Sequence, residues 1–344
     1  MKALVLEEYH KLVYKDVPEP QRGENDVLVR VKACGICGSD VHGMDGSTGR
    51  RIPPIIMGHE ASGVIDKIGK NVSGWKTGDR VTFDSTIYDQ NDWFSKRGDY
   101  NFSDHREVLG VSCNEYRRDG AFAEFVCVPQ HILHLLPGNV SYDQAALVEP
   151  AAVALHAVRL TQVSEDDTIM IIGAGIIGLF LVQMLRASGY VRIISIDVDP
   201  DRLKMAEKFG AQKGLIFEKG TNLIQKIMDL TENRGAAVIF EAVGITQTVG
   251  LGMDCVRKGG QMTLIGNITP KVELSLQVIV TRQLRIQGSC AIAGEYPDVL
   301  TMISQGSINV DEVISQKAPL SEGASWFKRL YEKEPRLLKV ILNP

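Results

Sequence analysis

The sequence predicts an α/β protein in two parts, a mostly antiparallel β region followed by a doubly wound parallel sheet, and three observations carry that expectation. Up to about Pro150 the chain is a succession of short alternating or β-branched segments separated by Gly and Pro turns. From Thr168 onward apolar strand-like runs alternate with helical stretches, the mark of βαβ crossovers. Between the first such run and its helix stands Gly173-Ala174-Gly175-Ile176-Ile177-Gly178, a spacing suited to a phosphate-cradling turn.

In the first part, strands are expected at Val27 to Val31, Gly63 to Ile65, Arg80 to Phe83 and Phe122 to Val128. Around Ser141 the pattern switches. Ser141 and Gln144 form a capping-box signature, and the Ala-rich stretch from Ala145 to Leu160 is helical in character, interrupted by Pro150. In the second part, strands are expected at Ile169 to Ile172, Ile193 to Asp197, Leu215 to Phe217, Val238 to Glu241 and Met262 to Ile265, with helices near Ile176, Pro200, Asn222 and Gln247. Beyond Gly288, Glu295 to Ser304 and Glu322 to Glu332 read as helices and Leu338 to Leu342 as a closing strand that rejoins the first part.

The chain has 344 residues, enough for about two domains at roughly 150 residues each. Its 44% hydrophobic and 23% charged content is ordinary for a globular protein, and its net charge of −4 leaves no basic field for nucleic acid. Small-molecule partners are favoured. The longest apolar run, Ile169 to Val182, is shorter than the ~20 residues of a bilayer span and contains three glycines, so no membrane segment is expected. The N-terminus turns acidic at Glu7-Glu8 and lacks the apolar core of a secretory signal, which points to the cytoplasm. Six scattered cysteines form no disulfide framework.

Three residues fit a catalytic metal. Zinc is bound by Cys, His and carboxylate, and a catalytic site leaves one position open. Cys37, His59 and Glu60 supply those donor types. Taken alone, a single Cys is more often a small buried hydrophobe and a His-Glu pair more often surface decoration; the surrounding spacing changes that balance.

Gly58-His59-Glu60 is followed by Gly63, Gly69, Val72 and Gly78-Asp79-Arg80-Val81, and preceded by Cys37-Gly38-Ser39-Asp40-Val41-His42. With Asp119 to Glu124, the glycine loop and Leu338-Lys339-Val340, these motifs resemble the zinc-containing alcohol dehydrogenases of the medium-chain dehydrogenase/reductase superfamily over nearly the whole chain. Within it the chain is most similar to the sorbitol, threonine and sugar-alcohol branch. The resemblance implies a GroES-like catalytic domain over residues 1–148, rejoined by 288–344, and a Rossmann NAD-binding domain over 149–287, with the active site in the cleft between them.

Residue by residue, the resemblance implies that Cys37 and His59 are zinc ligands and that Glu60 binds zinc directly or exchanges with water. Glu149 falls where polyol dehydrogenases place a further glutamate at or near the metal; an acid at the start of a helix equally suits the helix dipole. Asp40 is expected to accept a hydrogen bond from the His59 nitrogen that faces away from zinc. Zinc lowers the pKa of bound water from about 15.7 to about 7, and an alcohol needs a similar push before its carbon can give up hydride. Ser39 and His42 resemble the relay that carries the released proton to solvent; Ser39 on its own reads as a turn residue.

The glycine loop follows a strand and opens a helix, the context a dinucleotide fingerprint needs. Gly173 permits the tight turn, Gly175 lets backbone approach the pyrophosphate and Gly178 lets helix pack on strand. Asp197 ends the next strand about 20 residues on, where a carboxylate binds the ribose of NAD and repels the 2′-phosphate of NADP. By resemblance Ile177 backs the pyrophosphate, Arg202 covers the adenine end, and Ile265 and Gly266 line the nicotinamide side.

Many relatives hold a second, structural zinc with four cysteines at spacings of three, three and eight, which here read Asp89, Asp92, Ser95 and Ser103. Hydroxyls and hard carboxylates are poor zinc ligands, so one zinc per chain is expected. Trp93, Phe94, Tyr100 and Phe102 could hold this lobe by packing, or it is a mobile loop. The Arg-Tyr pair of polyol dehydrogenases is replaced by Cys290-Ala291-Ile292-Ala293, and Arg50-Arg51 read as a solvated loop pair ahead of an anion site. The expected activity is NAD-dependent oxidation of a secondary alcohol by a homodimer or homotetramer. Two alternatives stand beside it: epimerisation or elimination with recycled NAD, and a silent NAD-binding protein.

Overall fold

The computed structural model describes residues 1–218 and 220–344, and the chain forms two compact units, Met1–Ala152 with Ile292–Pro344 and Val153–Ala291. The first is built on a sheet whose strands run, in spatial order, Leu133–Leu135, Arg80–Phe83, Glu60–Ile68, Asp26–Gly35, Lys339–Asn343 and Ile314–Pro319, with Phe125–Pro129 also paired to Asp26–Gly35. Strands Asp26–Gly35 and Glu60–Ile68 are antiparallel with Gly35 opposite Glu60, and Ile341 of the closing strand pairs with Gly35 from the other side. Three sequence-distant segments therefore converge where Cys37 leaves its strand.

Alternation drives this sheet. Val27, Val29 and Val31 put β-branched side chains on the buried face, which also receives Phe83, Phe122 and Phe327, all 0% exposed. Phe122 and Phe327 meet edge to face at 5.5 Å. Each such burial is worth about 1.5–3 kcal/mol. The fourth expected strand starts later than its sequence pattern, at Phe125, because Phe122 and Ala123 are drawn into the core and Ala123 makes only an isolated bridge to Ala3.

Ser141 caps the helix Tyr142–Ala146 through the reciprocal bonds with Gln144 that the sequence predicted. The helical stretch breaks at Leu147, not at Pro150: the next helix, Val148–Leu160, carries Pro150 within its first turn, where the missing N–H has no intrahelical carbonyl to lose.

The second unit is a six-stranded parallel sheet in the order Lys213–Ile216, Ile193–Asp197, Ile169–Ile172, Ala236–Glu241, Val256–Leu264, Arg285–Gly288. Strand order reverses on either side of Ile169–Ile172, which opens a crevice at the carboxyl ends of the strands. Helices Ile176–Ala187, Pro200–Lys208, Leu223–Leu230 and Thr246–Cys255 follow their strands, and Asp199 caps the second with Pro200 at its first position. No helix among the described residues is long and apolar enough to cross a membrane.

Candidate metal centre and cofactor loop

Cys37 stands at the N-cap of the short helix Gly38–Gly43, and His59 and Glu60 enter the strand Glu60–Ile68 after Gly58, whose φ of +97° favours glycine. A side chain at Gly58 would also press on Cys34 Sγ and Phe122 at 2.9 Å. The turn thus aims His59 and Glu60 back at Cys37. One donor atom from each of Cys37, His59 and Glu60 lies within 4.8 Å of the others. A thiol, an imidazole and a carboxylate at that separation fit a tetrahedral zinc ion with a place left open.

What surrounds the donors is as informative as the donors. Asp40 is fully buried, and its Oδ1 accepts from Arg51 Nη2 at 2.8 Å and Nε at 3.2 Å. Its Oδ2 faces His59 Nδ1 at 3.5 Å without forming the expected hydrogen bond, and neither atom has another partner. The contact is a long polar one that sets the buried carboxylate beside the ring. Burial works against the Asp40 carboxylate, but His59 and Arg51 outweigh it and hold its pKa at about 2. Burial likewise opposes a charged His59, yet Asp40 and Cys37 push it well up, the response of an imidazole in an electron-rich pocket.

Glu60 is 1% exposed and both its oxygens accept from Lys339 Nζ, at 2.9 and 2.6 Å, while the same ammonium reaches Ile36 O at 3.0 Å. Burial disfavours the Lys339 cation, and Glu60 restores it. Ser39 Oγ donates to Cys37 Sγ at 3.2 Å. Ser39 and His42 are three residues apart on the same short helix, so their side chains share a face. Glu149 stands apart from the three-donor cluster: it is half-buried at the start of Val148–Leu160, its Oε1 accepts from Ser85 Oγ at 3.1 Å, and burial raises it to about 7, with His59 countering and Glu60 adding to the shift.

In the second unit Gly173 takes φ +97°, and a Cβ at Gly178 would lie 1.8 Å from Gly173 O, so the strand-to-helix turn demands both glycines. Gly175 caps Ile176–Ala187 and borders open space, leaving room for a phosphate at the helix N-terminus. Asp197 is buried and already used: Oδ2 accepts from Ala174 N at 2.6 Å and Oδ1 from Asp199 N at 2.9 Å, which ties the glycine turn to the next strand. Each oxygen keeps a lone pair. Ile177 sits in the first helical turn, and Arg202 lies 3.6 Å from Asp199. Ile265 and Gly266 both donate to Glu241 O, and Gly266 packs on Val243 and Gly244, placing this pair at the carboxyl edge of the sheet with the glycine turn.

The lobe at Asp89 to Ser103 is hydrogen-bonded within itself. Asp92 accepts from Ser95 N at 2.6 Å, from the Ser103 hydroxyl and from Asp104 N at 3.2 Å, and Ser103 Oγ accepts from Asp89 N at 3.3 Å. Its aromatics pair: Trp93 with Phe94 at 5.0 Å, Phe94 with Phe102 at 6.0 Å, and Tyr100 stacked on Tyr88 at 4.3 Å.

Sequence reasoning misjudged or missed three side chains. Arg51 is not half of a solvated pair but 3% exposed and bound to Asp40. Lys339 announces itself only as a lone cation in an apolar closing strand, and Ser85 gives no local signal.

An alcohol dehydrogenase GroES-like domain matches residues 23–138, and a zinc-binding dehydrogenase domain matches residues 177–305. D-arabitol-phosphate dehydrogenase of Enterococcus avium is 32% identical over 341 residues, covering 98% of this chain and 95% of its own. Sorbitol dehydrogenase of Bacillus subtilis is 30% identical over 348 residues, covering 100% of this chain and 97% of its own. The solved alcohol dehydrogenase of Thermus sp. ATN1 superposes with a TM-score of 0.92 at 28% identity, over 100% of this chain and 99% of that one. Matched from end to end and carrying a thiol, imidazole and carboxylate set upstream of a dinucleotide turn, the chain belongs to the zinc-dependent alcohol dehydrogenases of the medium-chain dehydrogenase/reductase superfamily.

Proposed function

We propose that this dehydrogenase oxidises a secondary hydroxyl of a polyol or sugar derivative to the ketone with NAD as acceptor. The observation that carries the reading is the convergence of Cys37, His59 and Glu60 within 4.8 Å. These three would hold one zinc ion, with Glu149 as a further carboxylate in reach of it. When bound, zinc acidifies the substrate hydroxyl and the nicotinamide ring takes up hydride. The relatives named for arabitol phosphate and sorbitol support a polyhydroxylated substrate and net oxidation over recycled NAD or a silent protein.

The chain's own groups do the rest. Asp40, fixed by Arg51, keeps His59 oriented, and Lys339 balances Glu60. Ser39 Oγ is placed to accept the substrate proton, with His42 at the other end of the same helical face as the group that would release it to solvent. Gly173, Gly175, Ile177 and Gly178 would hold the pyrophosphate, Arg202 the adenine end, and Ile265 and Gly266 the nicotinamide side of the cofactor. Asp197 favours NAD over NADP, because its carboxylate would repel a 2′-phosphate. The Asp92 carboxylate is filled by the Ser103 hydroxyl and two backbone amides of the lobe, which supports a single zinc per chain.

A homodimer or homotetramer is supported by the free edge strand Arg285–Gly288 and by the helix Leu276–Arg282 beside it, where Leu276 is 71% and Val280 69% exposed. Six cysteines without a disulfide among them, Cys37 placed to be a metal donor, suit a reducing cytoplasm, and the acidic balance suits neither nucleic acid nor membrane. The test is a panel of polyols, aldonates and amino alcohols assayed for NADH, with metal content measured per chain. NADH formation with about one zinc per chain supports the reading. A protein that takes up neither zinc nor NAD refutes it.

A further inference from the structure

Glu149 contributes no atom to the cluster of Cys37, His59 and Glu60, and its carboxylate is turned to Ser85, whose Oγ donates at 3.1 Å. Ser85 is 3% exposed, so this hydroxyl has no competing water to replace the bond cheaply. Its turn is rigid: Asp84 accepts from Thr86 N at 2.8 Å and from Tyr100 OH at 2.7 Å, and Ser85 O accepts from Leu109 N at 3.0 Å. A second hydroxyl stands near. Tyr296 is 1% exposed, its OH has no partner, and the charges of Asp84 and Glu149 add to the burial that keeps this phenol protonated. A buried donor left unpaired, within electrostatic range of a carboxylate, suits a site whose acceptor moves between two positions.

We propose that Ser85, with Tyr296 as a second donor, is an anchor that holds the Glu149 carboxylate off the metal, making it a displaceable ligand and not a fixed one. Ser85 is a positioning residue. A metal-bound Glu149 must give up the Ser85 hydrogen bond, so the hydroxyl sets how much of the time the carboxylate spends at the ion. The inference rests on the zinc reading above.

The test uses the full-length protein loaded with cobalt(II) in place of zinc, followed by visible absorbance and by titration for affinity. Ser85→Ala should bind cobalt(II) about three- to tenfold more tightly and shift the d–d bands, because Glu149 loses its alternative partner. Ser85→Thr, which keeps the hydroxyl, should behave as the parent. Tyr296→Phe should move affinity the same way by a smaller factor, and it serves as the probe if Ser85→Ala does not fold. In a Glu149→Gln background the Ser85→Ala effect should vanish. Unchanged affinity and spectrum in both Ser85→Ala and Tyr296→Phe, or the same change in the Glu149→Gln background, overturns the anchor while leaving the zinc reading intact. A parent protein that binds no cobalt(II) overturns both.

Discussion

The donor cluster around Cys37 and the lobe around Asp92 are two gatherings of polar side chains in one unit, and they solve opposite problems. In the lobe, acceptors meet protons of the same segment: the Asp92 carboxylate is filled by two backbone amides and the Ser103 hydroxyl. In the cluster, acceptors meet acceptors, and the balancing cations come from other segments: Arg51, 11 residues from Asp40, and Lys339, 279 residues from Glu60. A self-satisfied group of acids needs no ion. A convergence of soft and hard acceptors that must import cations to be tolerable is arranged for one.

Breaking the cluster should have the largest effect. Cys37→Ala removes the only soft donor, and we expect loss of bound zinc with kcat/KM lowered by about three orders of magnitude or more, several kcal/mol of barrier. Metal analysis and NADH kinetics on the same preparation read both. Full activity in a zinc-free Cys37→Ala protein would erase the distinction between the two regions.

Next in size is Lys339→Met, which leaves the Glu60 carboxylate buried without its cation. Removing one partner of a buried pair costs about 3–5 kcal/mol. Urea unfolding should show that loss, and Lys339→Arg should recover most of it. Asp92→Ala strips the lobe of its acceptor and should lower the unfolding midpoint by a smaller amount in the same measurement, with zinc per chain unchanged. Zinc loss in Asp92→Ala would mean that the lobe takes part in metal binding after all.

The smallest effect is expected from His134, which belongs to neither region and serves as the control for acid titration. It is stacked on Tyr296 at 4.8 Å, and burial lowers its pKa to about 4. The unfolded chain, with a value of about 6.5, binds more protons between these limits, so stability falls as pH drops through that window. Given its partial exposure the contribution is on the order of 1 kcal/mol, and His134→Phe should flatten the stability curve between about pH 4 and 6.5. A curve unchanged by the substitution would assign the acid sensitivity elsewhere.

Much of the fold was legible because its signals are local. Strands Arg80–Phe83, Ile169–Ile172 and Ile193–Asp197 begin and end where the apolar pattern does, and the Ser141 and Asp199 caps are written in adjacent residues. Where boundaries slipped, at Phe122 to Glu124 and at Pro150, packing and helix-end geometry overrode the pattern. Dimensions within the site were not legible. The spacing of Cys37, His59 and Glu60 named donors, but nothing in it said that His59 Nδ1 would stand 3.5 Å from Asp40 without a hydrogen bond.

By itself the sequence determined the order of elements, the glycine turn and the donor types, because each depends on residues within a few positions of one another. Tertiary structure alone decided which groups face those donors: Arg51 came from a loop that reads as solvated, Lys339 from the closing strand paired against Gly35, and Ser85 from the turn after Arg80–Phe83, facing Glu149 of the helix Val148–Leu160. Electrostatic balance in a buried pocket is set by distance in space, and chain separations of 279 residues for Lys339 and Glu60, or 64 for Ser85 and Glu149, leave no trace in local pattern.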